Sequence, residues 1–61
     1  MAGSYTVRVE DEQGREVAST THATESEARS AGMKKIYDPA HQGHSVWLIY
    51  PGGMAQELAP E

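Results

Sequence analysis

Sixty-one residues carrying 9 Asp+Glu against 5 Lys+Arg, a formal charge of −4, make one small acidic domain. The lack of cysteine excludes a disulfide framework and any cysteine-based zinc site. A chain of this length buries only about 60% of its unfolded surface, so a partner subunit enters the expectation. A composition of 38% hydrophobic and 23% charged residues indicates a folded domain rather than a disordered tail. No apolar run approaches the roughly 20 residues of a membrane helix, and no basic-then-apolar leader is present. The expected compartment is the cytoplasm.

Residues 1–4 read as a flexible lead-in of small residues, 5–58 as one domain and 59–61 as a loose end. From Tyr5 the pattern alternates: Tyr5, Val7 and Val9 point one way, Thr6, Arg8 and Glu10 the other, which predicts a strand. Asp11-Glu12-Gln13-Gly14 predicts a hairpin turn, with Gly14 suited to a positive φ. Arg15 to Thr21 follows as a less apolar strand in which Val17, Thr20 and Thr21 are β-branched, the profile of a sheet edge. Thr24-Glu25-Ser26-Glu27 matches a capping box and opens a helix from about Glu25 to about Tyr37. Ala28, Ala31, Gly32 and Ile36 form its apolar stripe, widened by Met33 and Tyr37. Glycine inside a helix costs about 1 kcal/mol against alanine, and close approach to a sheet is the reason to carry one at Gly32.

Asp38-Pro39 ends the helix, because the ring disfavours a helical residue before it. Residues 40–44 form a polar loop, and Ser45 to Tyr50 is the most apolar segment and the third strand. Pro51-Gly52-Gly53 turns the chain into a short fourth strand over Met54 to Leu58. The fold class is therefore α+β, ββαβ or ββαββ, with strand order 2-1-3, or 2-1-3-4 with the final hairpin. Parallel pairing of strands 2 and 3 is the alternative. One helix covers one sheet face. Val46, Leu48 and Tyr50 share a side of strand 3, and Trp47 and Ile49 share the other. One set packs under the helix; the other is covered by sheet twist or tail, or is open to a partner.

Few catalytic constellations fit. His41 and His44 sit three apart in a glycine-containing loop, and zinc needs three or four ligands in a rigid shell. Ser19, Thr20, Thr21 and His22 supply nucleophile and base types, without a glycine-rich elbow or an oxyanion loop. The hairpin carboxylates are expected to be solvated, which leaves them ionised near neutral pH and unsuited to acid–base work. The expectation is a non-enzyme with no cofactor and no metal.

The charge is unevenly placed. Residues 1–28 carry the whole excess of acid, and residues 29–61 balance. Glu25 and Glu27 begin the helix and Lys34 and Lys35 end it, as the helix dipole favours, and Glu25 stands four residues before Arg29. Glu10, Asp11, Glu12 and Glu16 have no such local reason and mark a candidate site for a partner with a basic surface. Trp47 and Ile49, or Val46, Leu48 and Tyr50, supply its apolar anchor.

Two resemblances follow from these residues. Tyr5-Thr6-Val7-Arg8-Val9, the Gly14 turn and Thr24-Glu25-Ser26-Glu27-Ala28 resemble the arm-binding domains of phage integrases, which implies a small sheet that reads DNA. The strands here offer Arg8 and Arg15 for that role, and their third strand follows the helix. The short, acidic, cysteine-free ββαβ layout from Tyr5 to Leu58 is similar to the anti-CRISPR proteins of phages and mobile elements. That resemblance implies an inhibitor, a DNA mimic whose acidic side chains occupy a basic surface of a CRISPR effector subunit in the host cytoplasm. The leading expectation is thus a protein-binding inhibitor without direct nucleic-acid or membrane contact. A nucleic-acid-binding or regulatory domain using Arg8 and Arg15 is the alternative, and a homodimeric structural protein the third.

Overall fold

The computed structural model describes residues 3–60. The expected lead-in and loose end therefore fall partly on Met1, Ala2 and Glu61, outside the described residues. Strands β1 (Tyr5–Glu10), β2 (Glu16–His22), β3 (Ser45–Ile49) and β4 (Ala55–Leu58) flank one helix, α1 (Glu25–Ile36). They form a single sheet in the order β2-β1-β3-β4, antiparallel at every pairing. The two most apolar strands take the centre, and the polar β2 lies at an edge. The parallel alternative does not occur, because α1 returns the chain across the sheet so that β3 runs antiparallel beside β1.

Both hairpins use the same device. Asp11 N–H donates to Arg15 O at 2.9 Å and Gly14 N–H to Asp11 O at 3.0 Å. At the second, Tyr50 N–H donates to Met54 O at 2.7 Å and Gly53 N–H to Tyr50 O at 2.9 Å. Each is a three-residue loop closed by a glycine at positive φ, 80° at Gly14 and 96° at Gly53. The turn chemistry thus sets the register of both outer strands. A shift in register between Val9 and Glu10 then moves the start of β2 to Glu16 and leaves Val17 45% exposed.

Thr24 caps α1: its Oγ1 accepts from Glu27 N–H at 3.2 Å. The helix ends at Ile36 with Tyr37 as its C-cap, and Asp38 Oδ1 accepts from Ala40 N–H to start a single 3-10 turn over Pro39–His41. The polar loop expected over 40–44 is thus partly ordered as a helical turn. Ala28 and Gly32 are buried against the sheet, with Ala31 and Ile36 packed beside them. Tyr37 is 60% exposed and does not widen this stripe, because the C-cap residue has left the helical path. The core is Val7, Val9, Val46, Leu48 and Ala28, each at most 2% exposed. Strand alternation puts Tyr5, Val7 and Val9 of β1 and Val46, Leu48 and Tyr50 under the helix.

Gly32 is where α1 comes closest. A Cβ there would overlap Leu58 Cδ1 and stand 3.6 Å from Val46 Cγ1 and 3.8 Å from Val7 Cγ1. Gly32→Val, whose branched methyls extend that overlap into the core, is expected to destabilise the fold by about 1–3 kcal/mol. Urea denaturation checks this, and an unchanged midpoint would show that the helix does not lie so close.

Arg29 ties α1 to the second hairpin. Its Nε donates to Glu25 Oε2 at 2.9 Å, and its Nη2 donates to Tyr50 Oη and to Gln56 Oε1, each at 3.0 Å. The hydrogen bond to Glu25, with the hydroxyl of Tyr50 adding to it, raises the guanidinium above its ordinary value against the opposing effect of burial. Tyr50 also meets Tyr5 edge-on, with ring centroids 5.6 Å apart. The expected Glu25–Arg29 helix pair therefore exists and does more than stabilise a helix, since it orients a residue that holds β4 in place.

Candidate protein-binding face

The sheet face opposite α1 is built by the alternate residues of the same four strands. Register aligns Ser19, Arg8, Trp47 and Glu57 in one row across the sheet. The next row is Thr21, Thr6, Ile49 and Ala55, and Glu16, Glu10 and Ser45 form a third. No second helix or sheet layer among the described residues lies over this face. Trp47 and Ile49 therefore belong to the open side, and Val46, Leu48 and Tyr50 to the helix side. Trp47 and Ile49 are half-buried. The indole Nε1 of Trp47 is out of contact with solvent and has no hydrogen-bond partner among the described residues. An unmet donor of this kind costs about 1–3 kcal/mol.

The four hairpin acids divide into two roles. Glu10 and Glu16 stand directly opposite each other, an arrangement that repels unless a cation intervenes. Arg8 supplies it: its Nε lies 3.0 Å from Glu10 Oε2 and 3.5 Å from Glu16 Oε1. That nitrogen is shielded from solvent, close enough for ion pairing but not aligned for a hydrogen bond to either carboxylate. These exposed pairs add little to stability, typically below about 1 kcal/mol. Their consequence is to fix two carboxylates on the open face beside the Trp47 row, with one more negative charge than positive.

Asp11 is a structural acid. Its Oδ1 accepts from Gln13 N–H and from Arg15 N–H, both at 2.9 Å, and so closes the hairpin. The expectation that it lacks a local structural reason is corrected by these bonds. Asp11→Ala is expected to lower stability by about 1 kcal/mol, a fall of roughly 4–8 °C in Tm for a domain of this size, with partner binding little changed. Thermal denaturation measures it, and an unaltered Tm would return Asp11 to the candidate site. Glu12 sits at the exposed tip, its carboxylate beside Gly43 of the loop before β3.

Glu57 is the acid that sequence reasoning did not single out. Its position beside Trp47 follows from the β3–β4 register, and the signal available was the alternation of a four-residue strand, too short to assign a face unaided. Glu57 is exposed and makes no ion pair among the described residues.

The residues weighed for other chemistry are placed as follows. Thr20 Oγ1 and His22 Nε2 are 2.8 Å apart on the helix side of β2. The rings of His41 and His44 bring their Nδ1 atoms to 3.3 Å. Among the described residues no group of three or more His, Asp or Glu side chains is arranged to hold a metal ion. No helix of the described residues is long and apolar enough to cross a membrane. Compared with family models, with curated proteins and with solved structures, the chain finds no match.

Proposed function

We propose that the chain is a non-enzymatic protein-binding module that docks its open sheet face on a basic, nucleic-acid-binding surface of a host complex. The observation that carries this reading is the row of Trp47 and Glu57 beside the Glu10–Glu16 pair. One large aromatic, on a face that no other layer of the described residues covers, lies among more acid than base. Aromatic residues in such positions dominate interface energetics, and surrounding carboxylates steer a cationic partner. The resemblance to anti-CRISPR proteins supplies the kind of partner, a CRISPR effector subunit whose DNA-binding surface would be blocked.

Nucleic-acid contact through Arg8 and Arg15 has less support. Arg8 is neutralised by two carboxylates, and Arg15 stands apart from it in the hairpin turn. Phosphate binding needs clustered, available cations. Homodimerisation through the open face would set Glu10, Glu16 and Glu57 of each copy against the same acidic face, a like-charge arrangement that opposes association.

The test is displacement of fluorescently labelled target DNA from CRISPR effector complexes, read as anisotropy. The expected result is release of DNA by the chain, weakening as salt is raised, with no shift when the chain alone meets duplex DNA. Failure to displace DNA from any effector removes the inhibitor reading. A salt-sensitive complex between the chain itself and DNA would replace it with the nucleic-acid reading.

A further inference from the structure

A second surface lies on the helix side, where α1 meets Leu58 of β4. A groove of about 330 Å³ opens there, lined by Ser26, Arg29, Ser30, Met33 and Leu58. Ser26, Ser30 and Met33 follow one another on a single flank of α1, and Leu58 rises from β4 to meet them. The groove is thus the space between a helix and the last strand of a sheet.

The edge beside it is unpaired. Tyr50 and Met54 form a hydrogen-bonded pair at the turn, so alternation makes Leu48 with Gln56 and Val46 with Leu58 hydrogen-bonded pairs too. The N–H and C=O groups of Ala55 and Glu57 therefore point outward, and β4 is last in the sheet. β4 is only four residues long and carries one charge, Glu57, but no lysine, proline or bulge within Ala55–Leu58 interrupts its outward backbone groups.

We propose that β4 accepts an extended peptide as a fifth strand, with an apolar side chain in the groove and a basic side chain beside Glu57. Strands pair about 4.8 Å apart, so an added strand runs along the mouth of the groove. Its alternate side chains then face opposite ways. Those directed to the helix side meet the groove, where Met33 and Leu58 supply the apolar contact and Ser26, Arg29 and Ser30 the polar remainder. Those directed to the open side stand next to Ala55 and the unpaired carboxylate of Glu57. The recognised sequence is therefore alternating, apolar and then Lys or Arg. A second copy of the chain fits less well. Pairing β4 with its twin brings two Glu57 side chains together, and β2 offers no Lys or Arg to complement either.

The test is selection of nine-residue peptides from a displayed library against the full chain, followed by anisotropy titration of the selected peptides in soluble form. The expected sequences alternate apolar residues with Lys or Arg. Affinity is expected to fall by about tenfold or more for Met33→Glu and for Glu57→Lys, and to persist for Trp47→Ser, which lies on the open face. Glu57 is exposed, so Glu57→Lys keeps the test valid even where Met33→Glu disturbs folding. The amides of Ala55 and Glu57 are expected to gain protection from hydrogen exchange when peptide is bound. Selection of no peptide, affinity unchanged from that of the original chain in Met33→Glu and Glu57→Lys, or protection confined to β2 would each overturn the proposal. Loss of binding in Trp47→Ser alone would move the peptide to the open face.

Discussion

Leu48→Ala is expected to unfold most of the protein at 37 °C, whereas Ile49→Ala, one residue along the same strand, leaves it folded. Leu48 is fully buried in a core of five residues. Truncating a buried leucine costs about 2–5 kcal/mol, the lost transfer energy plus the cavity left behind. A single core in a domain below roughly 70–80 residues rarely supplies more than about 3–5 kcal/mol in total, so one such loss consumes the margin. Ile49 faces the uncovered side and is half-buried, so its truncation is expected to cost below about 1.5 kcal/mol. Circular dichroism during urea denaturation compares the two. Equal destabilisation would mean that both faces of β3 are packed, which would leave no open face to bind a partner.

Trp47→Ala is the variant expected to separate binding from folding most widely. A central aromatic anchor is worth at least about 2 kcal/mol to an interface, a loss of roughly thirtyfold in affinity. The same substitution removes the unpartnered indole N–H, which offsets part of the lost packing, so stability is expected to change by less than about 1.5 kcal/mol. The DNA-displacement assay and urea denaturation measure the two quantities independently. Trp47 is also the only tryptophan of the chain, so its emission reports directly on whether the open face is covered. An emission spectrum unchanged in the presence of a bound partner would place the contact elsewhere, as would full displacement activity in Trp47→Ala.

Much of the fold is legible in the sequence. Period-two alternation from Tyr5 to Glu10 identifies β1 and both of its faces. Gly14 at a positive φ, Thr24 as helix cap and the stop at Asp38-Pro39 all stand where local chemistry demands them. Gly32 was legible too, because a helical glycine opposite a sheet has few other uses. The candidate site was legible in part. Glu10, Glu16, Trp47 and Ile49 share one face, which alternation suggests and the register establishes. Asp11 was misread because an Asp side chain that accepts from the amides two and four residues on looks, in sequence, like any exposed acid. The pairing of Arg8 with Glu10 and Glu16 was missed because it depends on which residues face one another across β1 and β2, a relation altered by the register shift.

The sequence by itself determined the local order. It set where the chain extends, turns and coils, through side-chain alternation, glycine and proline conformational limits and helix capping, and it set the acidic balance. Those interactions span at most a few residues, so they can be read without knowing the fold. Only the tertiary structure decided which apolar set of the segment Ser45 to Tyr50 lies under α1, and it chose Val46, Leu48 and Tyr50. The physical reason is that one helix can dehydrate one face, and β1 presents its valines to that same face. Once that side was taken, the position of Trp47 among Arg8, Glu57 and the opposed pair Glu10 and Glu16 followed from antiparallel register. So did the free edge of β4 beside the groove, since strand order alone settles which backbone groups remain unpaired.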